Sequence, residues 1–459
     1  MRPLWTGEAI AEATSGALSA PFAVSGVAFD SREVTPGDLF VAMRGEAADG
    51  HDYAARARAA GAAGMLVERP VEGPHVRVPD SLEGLVALGR AARARTYAKI
   101  VGVTGSAGKT GTKEALFHAF DRMSFGAAHR SLKSYNNHVG VPLSLARMPA
   151  ETRYGIFEMG MNHEGELRAL TALVRPHVAV VTTIAPAHIE YFGTEAKIAQ
   201  AKAEIFEGLV EGGTAIIPHD SPHRDLLVKA AEPYAAQIVT FGFEKGADVR
   251  AVEAVPAEHD GTLVSAQLPG AQLSFTLSMP GRHWIANSLA VLAAVQAAGG
   301  DLAVAGLALA RLPGMPGRGE RRRIRTADGG EALLIDEAYN ANPASMAATL
   351  AQLGEERGGR RIAILGAMKE LGAQSAALHA GLAGPVLAAD VDRLLLVGEE
   401  MAPLGKAVEG RIDVELTATA SDAIVRAATM LKDGDVVLVK GSNSVGLSRL
   451  VTALSAETV

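Results

Sequence analysis

Short apolar runs alternate with amphipathic helical segments along most of the chain. In its middle part, the apolar runs that predict strands lie at 155–159, 178–184, 214–217 and 238–241. Helical patterns separate these runs, and such alternation is typical of an α/β fold with a mostly parallel sheet. Further on, the alternation over 250–277 predicts antiparallel strands, and 281–298 predicts a strongly apolar helix.

Interruptions in this rhythm divide the chain into three units. The first has predicted strands at 24–29, 39–43 and 64–68 and a predicted helix at 53–63. A helix over 81–97 opens the second, and a proline- and glycine-rich linker at 313–317 ends it. The third has predicted strands at 332–335, 361–365, 393–397 and 436–439. We therefore predict three α/β domains around a cleft, at 1–80, 81–312 and 313–459.

Composition narrows the classes of function. The chain has 459 residues, of which 48% are hydrophobic and 50 are glycine, as suits a multidomain α/β enzyme. A formal net charge of −7 gives no reason to expect a nucleic acid or a membrane surface as partner. One local exception is a group of arginines that either lies solvated between domains or sends one member to a phosphate: Arg318, Arg321, Arg322, Arg323 and Arg325.

Two absences in the sequence bear on the cellular setting. No cysteine is present, so disulfides, thiolate nucleophiles and thiolate metal sites are excluded. No apolar run approaches the roughly 20 residues that a membrane-spanning helix needs. Glu8 and Glu12 interrupt the segment where a secretory signal would be apolar. We therefore expect a cytoplasmic protein, and we expect a monomer.

A glycine-rich turn at 105–108 joins an apolar strand-like run, 100–104, to a helical pattern that opens with Lys109 and Thr110. Small residues let backbone N–H groups close around an anion, and the helix N-terminus adds a partial positive charge. Lys109 can reach the outer phosphates of a nucleotide, and the Thr110 hydroxyl can bind its magnesium ion. Val103 replaces the first glycine of the full phosphate-loop pattern, so a plain strand-to-helix turn with an exposed lysine is the alternative.

Three more polar residues are expected at the same edge of the central sheet. Glu158 ends one strand, His188 follows the next, and Lys202 lies on the helix after that. Magnesium prefers a few oxygen ligands, so Thr110 and Glu158 predict a metal site. His188 either binds a second metal through a ring nitrogen or hydrogen-bonds a phosphate.

For several other candidate side chains, the sequence allows two roles. Asn136 and Asn137 either satisfy a turn or donate to a substrate amide or hydroxyl. Asp336 ends a predicted strand, where an acidic side chain can bind a ribose hydroxyl. Asp336 and Asn342 fit equally well as caps of a helix that starts near residue 344. Lys440 ends the last predicted strand and can face the same cleft.

Together, these segments resemble the Mur ligase family of peptidoglycan synthesis, and the resemblance covers nearly the whole chain. The segments that carry it are Asp30-Ser31-Arg32, Pro36-Gly37-Asp38-Leu39-Phe40-Val41, Thr104-Gly105-Ser106-Ala107-Gly108-Lys109-Thr110, Tyr135-Asn136-Asn137, Gly140-Val141-Pro142-Leu143, Glu158-Met159-Gly160, Ala185-Pro186-Ala187-His188, Ala201-Lys202-Ala203-Glu204-Ile205, Gly281-Arg282-His283, Tyr339-Asn340-Ala341-Asn342-Pro343, Glu370-Leu371-Gly372 and Lys440-Gly441-Ser442. Within the family, the Tyr-Asn-Ala-Asn-Pro and Ala-Pro-Ala-His strings point to the member that adds D-alanyl-D-alanine.

The resemblance implies an N-terminal domain for the UDP end of the substrate, a central P-loop ATPase domain and a C-terminal Rossmann-like domain that closes over ATP. It implies a ligase that uses ATP and Mg2+ to join D-alanyl-D-alanine to UDP-N-acetylmuramoyl-tripeptide through an acyl phosphate. Such an enzyme acts in the cytoplasm, in cell-wall formation, cell shape and cell division. Its partners would be these small molecules.

The resemblance also implies roles for individual residues. Ser31 and Arg32 would lie near the UDP-sugar, and Lys202 aligns with a lysine that several members carboxylate. Lys109, His188 and Lys202 would be the catalytic side chains. Those that would hold ATP are Gly105, Ser106, Ala107, Gly108, Lys109, Thr110, Asn287 at the adenine, Arg318 at the γ-phosphate and Asp336 at the ribose. Metal would be held by Thr110, Glu158 and His188, and the substrates would be bordered by Asn136, Asn137, Asn340 and Asn342.

Three positions depart from the family pattern. Trp284 stands where asparagine is common, Ala367 removes a usual carboxylate, and Gly111 stands where a better helix former is usual, at a cost of about 1 kcal/mol. Two alternatives to the implied function also stay open. One is a related ligase with another amine acceptor, including a folylpolyglutamate synthase, and the other is a nucleotide switch that hydrolyses ATP slowly and joins nothing.

Overall fold

The computed structural model describes residues 3–45, 48–257 and 261–456. Within these residues it contains three α/β domains in chain order, each built on its own sheet, which confirms the predicted fold class. Residues 258–260 of the predicted antiparallel stretch lie outside the described residues. No helix in the described part of the chain combines the length and apolar character needed to cross a membrane.

The N-terminal domain has a five-stranded sheet whose first strand is antiparallel to the rest, in the order Ala17–Leu18, His75–Arg77, Gly64–Val67, Asp38–Val41 and Gly26–Ala28. Its helices include Gly7–Thr14, Gly50–Tyr53 (3-10) and Ala54–Ala59. Helix Ser81–Ala94, predicted to open the central domain, packs into the core of the N-terminal domain instead. The predicted single strand at 24–29 is wrong, because Ala23–Val24 pairs with Trp5–Thr6 instead. The predicted helix at 53–63 is too long, since Gly61 adopts a left-handed φ of 101° that a helix cannot continue through.

The central domain has a nine-stranded sheet in the order Ala128–Arg130, Tyr154–Glu158, Lys99–Thr104, Val178–Val181, Thr214–Pro218, Gln237–Gly242, Val249–Pro256, Thr262–Leu268 and Ala271–Leu277. Each of the first seven strands pairs in parallel with its neighbour. Thr262–Leu268 then pairs antiparallel with Val249–Pro256, and Ala271–Leu277 pairs antiparallel with Thr262–Leu268, as the alternation predicts. Its helices are Lys109–Ser124, Gly140–Ala146, Glu166–Val174, Ile189–Phe192, Glu195–Ala203, Glu204–Gly208 (3-10), Arg224–Ala231, Arg282–Ala297 and Leu302–Leu309. Parallel strands bring their carboxyl ends to one edge, where the candidate residues gather.

The C-terminal domain has a six-stranded sheet in the order Glu320–Arg325, Glu331–Glu337, Val436–Lys440, Arg361–Gly366, Arg393–Val397 and Asp413–Thr417, with only the first strand antiparallel. Its helices are Pro343–Glu355, Gly372–Gln374 (3-10), Ser375–Ala380, Ala383–Ala388, Glu399–Met401 (3-10), Ala402–Ala407, Ala420–Met430, Asn443–Val445 (3-10) and Leu447–Ala456. The arginine group forms most of the first strand, an edge strand that the sequence did not predict. Three of its members pair with Glu356, Glu320 and Glu331.

Buried apolar side chains link the domains. Helix Ser81–Ala94 places Leu85 and Leu88 in the N-terminal core together with Leu143 of the central domain. On the other side, Phe192 of the central domain belongs to the same buried cluster as Leu371 of the C-terminal domain. These shared clusters hold the carboxyl ends of the central strands against the C-terminal domain, which forms the second wall of the candidate site.

Candidate active site

The glycine-rich turn has the backbone of a phosphate-binding loop. Strand Lys99–Thr104 ends directly before it, and helix Lys109–Ser124 begins directly after it. Gly108 adopts a φ of 82°, and a Cβ there would lie 2.7 Å from Oδ1 of Asn287, so only glycine fits. Ser106 fixes the outside of the loop, since its hydroxyl donates to the Ala185 carbonyl at 2.9 Å. The helix N-terminus carries no side-chain cap, which leaves its N–H groups for an anion.

Lys109 lies at the start of this helix with its ammonium group folded over the loop. Its Nζ donates to the carbonyl of Gly105 at 2.8 Å. Burial lowers the pKa of Lys109, although the nearby Glu158 carboxylate opposes that shift. The alternative of an exposed lysine at a plain turn is therefore wrong, because this cation is held inside the site.

Thr110 and Glu158 form the oxygen pair that the sequence predicts. The Thr110 hydroxyl donates to Oε2 of Glu158 at 2.8 Å, and Nδ2 of Asn136 donates to Oε1 at 2.8 Å. Glu158 is only 1% exposed. In residues 3–45, 48–257 and 261–456, no group of three or more histidine, aspartate and glutamate side chains is arranged to hold a metal. A hydroxyl and one carboxylate beside a phosphate loop nevertheless fit magnesium, which takes few protein ligands and completes its shell with phosphate and water.

His188 and Lys202 line the same cavity as the loop, but each has a distinct environment. Nδ1 of His188 lies against the carboxylate of Glu370, a residue of the C-terminal domain. Burial lowers the pKa of His188, and Glu370 opposes the shift. Lys202 is 1% exposed, and burial, reinforced by Lys109, lowers its pKa well below the usual value.

The C-terminal domain contributes the opposite wall. Nδ2 of Asn342 donates to the carbonyl of Ser106 at 3.2 Å, while its side chain also caps helix Pro343–Glu355. The structure confirms the interpretation of Asn342 as a helix cap, whereas its place beside a substrate stays a prediction. Nζ of Lys440 donates to the carbonyl of Asn340 at 3.0 Å and lies 3.3 Å from Oε2 of Glu337. Burial lowers the pKa of Lys440.

Arg318 is the one member of the arginine group that lines the cavity. Its guanidinium lies 4.0 Å from the centre of the Tyr339 ring, and its Nη2 donates to the hydroxyl of Ser134 at 3.3 Å. This position fits the expectation that one arginine of the group reaches a phosphate. The other expectation, a solvated interdomain stretch, is wrong for the rest of the group, because these arginines belong to the edge strand Glu320–Arg325, where Arg321 and Arg322 are half-buried.

Five candidate residues do not line the cavity. One is Gly105 of the loop, whose carbonyl accepts from Lys109. The contacts of the other four explain their positions. Asp336 accepts from the backbone N–H groups of Gly317 and Ala338, so its carboxylate supports the linker, and the next residue, Glu337, lines the cavity instead. Oδ1 of Asn137 accepts from Val139 and Gly140 and closes a turn. The remaining two lie in the N-terminal domain, one of them paired with Asp30: Ser31 and Arg32.

Two of the departures from the family pattern are in contact with each other. Trp284 is buried and lines the cavity, and its ring packs over Gly111 in the first turn of the phosphate-loop helix. A Cβ on Gly111 would lie 2.8 Å from Cη2 of Trp284. The small residue and the large one therefore fill one space together. Ala367, the third departure, is fully buried and does not line the cavity.

We expect Gly111→Ala to be harmful only while Trp284 is present. Overpacking costs about 1–3 kcal/mol, whereas alanine gains about 1 kcal/mol over glycine in a helix. Gly111→Ala should therefore lower the free energy of unfolding and raise the KM for ATP, but it should stabilise a Trp284→Asn background. Urea unfolding and ATP titrations of the single and double variants measure both effects. An equal response to Gly111→Ala in the two backgrounds would contradict the coupling.

One cavity of about 410 Å³ collects these side chains, among them Ser106, Lys109, Thr110, Asn136, Glu158, His188, Lys202, Trp284, Asn287, Arg318, Glu337, Asn340, Asn342 and Lys440. A phosphate loop on a parallel sheet forms one side, and a second α/β domain forms the other. This arrangement defines a P-loop nucleotide-binding enzyme whose site is completed by a separate domain.

Three family models match successive parts of the chain. The "Mur ligase family, catalytic domain" matches 23–96, the "Mur ligase middle domain" matches 103–295, and the "Mur ligase, glutamate ligase domain" matches 317–443. The UDP-N-acetylmuramoyl-tripeptide–D-alanyl-D-alanine ligase of Escherichia coli K12 is 36% identical over 95% of this chain and 94% of its own length. The chain belongs to the Mur ligase family.

Two solved structures share the whole fold. A crystal structure of MurF from Acinetobacter baumannii superposes with a TM-score of 0.85 at 29% identity, over 99% of both chains. The MurF ligase of Thermotoga maritima in complex with ADP superposes with a TM-score of 0.78 at 28% identity, over 95% of this chain and 98% of that one. The predicted three-domain ligase architecture is thereby confirmed.

Proposed function

We propose that this chain is an ATP-dependent amide ligase that joins D-alanyl-D-alanine to UDP-N-acetylmuramoyl-tripeptide. The observation that carries the proposal is the single cavity in which the phosphate loop, the Thr110–Glu158 pair and the C-terminal side chains Arg318 and Lys440 face one another. The two substrates in the name of the Escherichia coli relative support the choice of substrates. The ADP complex of the Thermotoga maritima structure supports ATP as the energy source.

In the proposed reaction, an oxygen of the tripeptide's terminal carboxylate attacks the γ-phosphorus of ATP, and ADP leaves. The amine of D-alanyl-D-alanine then attacks the acyl phosphate carbon, loses a proton and expels inorganic phosphate. Lys109, Arg318 and the N-terminus of helix Lys109–Ser124 offset the negative charge that gathers as the two anions approach. Contact between the central and C-terminal domains orients the reactants and limits the access of water.

Magnesium is part of the proposal, with Thr110 and Glu158 as its protein ligands. When bound, the ion neutralises phosphate charge and orients the phosphate chain. Asn136 fixes the Glu158 carboxylate from its other oxygen. His188 is proposed to bind metal or phosphate once its nitrogen leaves Glu370, and Lys202, if carboxylated, would add an anionic oxygen to the same wall.

We propose the remaining roles for the residues that the family resemblance implies, with one change. The loop residues Gly105 to Thr110 hold the phosphates, Asn287 faces the nucleotide beside Gly108, and Asn340 and Asn342 border the dipeptide. Glu337, which lines the cavity, takes the ribose role that was predicted for Asp336. Ser31 and Arg32 serve the UDP-sugar in the N-terminal domain. We propose small-molecule partners only, a monomer and a cytoplasmic location.

A phosphate-release assay across a set of amines tests the proposal. The purified chain is given ATP, magnesium and UDP-N-acetylmuramoyl-tripeptide together with D-alanyl-D-alanine, meso-diaminopimelate, L-lysine or glutamate in turn. We expect phosphate release and a new amide product with D-alanyl-D-alanine only, and no release when the UDP-sugar is omitted. Another preferred amine would make the chain a different ligase of the family. Release independent of both acceptors would make it a nucleotide switch.

A further inference from the structure

One short segment of the central domain, residues 131–137, contacts both other domains and the phosphate site, and we name it the connector. It follows strand Ala128–Arg130 and is held by a side chain of the phosphate-loop helix. Nζ of the fully buried Lys113 donates to the carbonyls of Ser131 at 2.9 Å and Lys133 at 2.7 Å. These hydrogen bonds fix the backbone of the connector against the phosphate-loop helix.

At its outer side, the connector is fixed to the N-terminal domain. The Tyr135 hydroxyl donates to the Glu33 carboxylate, with O–O distances of 3.0 and 3.1 Å, and Lys133 pairs with the same carboxylate. The Tyr135 ring packs on Phe29, with 5.6 Å between ring centres. Glu33 directly follows Arg32, so it belongs to the loop proposed for the UDP-sugar.

At its inner side, the connector sets the position of the metal-binding carboxylate. Asn136, the residue after Tyr135, donates to Oε1 of Glu158, and its backbone carbonyl accepts from Gly160 at 2.8 Å. Little slack exists around Asn136, since a Cβ on Gly160 would lie 2.8 Å from its Oδ1. A shift of Tyr135 therefore moves Asn136, and with it the carboxylate that faces Thr110.

The two contacts that join the connector to Glu33 differ in strength. Lys133 is 63% exposed at its side chain, so its ion pair with Glu33 is a solvent-screened contact of small energy. The Tyr135 bond is part-buried and is backed by the ring contact with Phe29. Tyr135 rather than Lys133 is thus the group through which a movement of the 30–33 loop reaches Asn136.

We propose that Tyr135, held by Glu33, is a positioning residue that couples occupancy of the UDP-sugar loop to the geometry of Glu158 at the phosphate site. The inference rests on the proposed function, because it takes the 30–33 loop as the UDP-sugar site. Binding of UDP-N-acetylmuramoyl-tripeptide steadies Glu33, Tyr135 and Asn136 in turn, and so favours the nucleotide with magnesium. By linkage, the nucleotide favours the UDP-sugar by the same factor.

Calorimetry tests this coupling with the full chain. The affinity for magnesium and a non-hydrolysable ATP analogue is measured without and with saturating UDP-N-acetylmuramoyl-tripeptide, for the wild type, Tyr135→Phe, Glu33→Ala and the double variant. We expect the UDP-sugar to tighten nucleotide binding by about 5-fold or more in the wild type, within the usual range of coupling between sites. The ratio should fall towards one in both single variants and fall no further in the double variant.

Tyr154→Phe is the matched control, because Tyr154 stacks on Phe120 at 4.3 Å in the same domain, away from the cavity. It should keep the wild-type ratio. A wild type that ligates D-alanyl-D-alanine yet shows no coupling, or a Tyr135→Phe variant with an unchanged ratio, would overturn the inference. Tyr135→Phe that lowers the melting temperature while the ratio stays intact would also overturn it, as a purely structural role. A wild type that makes no amide would instead overturn the proposed function.

Discussion

Lys109→Ala is expected to reduce the turnover of ligation by about 100- to 1,000-fold, the usual cost of removing one preorganised group that stabilises developing charge. Lys109 is the cation at the start of the phosphate-loop helix, and its Nζ already lies over the loop. Without it, the carboxylate would approach the γ-phosphate against an uncompensated negative charge. Steady-state phosphate release with all three substrates present measures the loss.

Two comparison variants separate the loss of the Lys109 charge from the general effect of replacing a lysine. Lys197→Ala removes an exposed lysine from helix Glu195–Ala203 and should leave turnover unchanged. Lys109→Arg keeps the charge but not the compact ammonium, so it should recover only part of the activity. Turnover of Lys109→Ala within tenfold of the wild type would remove Lys109 from its proposed role.

Glu158→Gln is expected to raise the magnesium concentration for half-maximal activity by at least about 10-fold, because even outer partners of metal ligands are worth 10- to 100-fold in affinity. The substitution keeps the shape of the side chain and an acceptor for the Thr110 hydroxyl, but it removes the anionic oxygen. Activity is measured against free magnesium at a fixed ATP concentration. The melting temperature of the same variant, measured without metal, reports any damage to the fold.

A surface carboxylate provides the control for that titration. Glu207 pairs with Arg168 at the surface of the same domain, and Glu207→Gln should leave the magnesium response unchanged. An unchanged magnesium response in Glu158→Gln would exclude Glu158 as a metal ligand. Of the two proposed protein ligands, Thr110 alone would then remain.

Local patterns were enough to predict the phosphate loop and most strands. Strands Arg393–Val397 and Val436–Lys440 are runs of buried apolar residues, and the loop is encoded within about ten positions of sequence. Strands Glu320–Arg325 and Asp413–Thr417 were missed because both lie at sheet edges and carry charges, which keep edge strands from pairing with other chains. Their sequences therefore lack an apolar run.

The choice between Asp336 and Glu337 shows a limit of sequence reasoning. Neighbouring residues on a strand point to opposite faces, so one position decides whether a carboxylate reaches the cavity or the linker. The sequence favours Asp336 by its position at a strand end, but the structure gives that residue to the backbone of Gly317. Which of the two carboxylates faces the cavity depends on how the linker packs against the strand.

Contacts across long separations were also beyond the sequence. Glu33 and Lys133 are a hundred positions apart, and the Glu370 carboxylate reaches His188 from another domain. No periodicity or spacing connects such pairs, since each depends on how the domains dock. The side chains nearest the phosphate loop were predictable, whereas the pairs Glu33–Lys133 and Glu370–His188 were not.

Transfer of labelled oxygen tests most directly whether the cavity activates a carboxylate at the end of a nucleotide. UDP-N-acetylmuramoyl-tripeptide labelled with oxygen-18 in its terminal carboxylate is turned over with ATP, magnesium and D-alanyl-D-alanine, and the inorganic phosphate is analysed by mass spectrometry. We expect one carboxylate oxygen in each phosphate released. Unlabelled phosphate formed together with the amide product would contradict activation through an acyl phosphate.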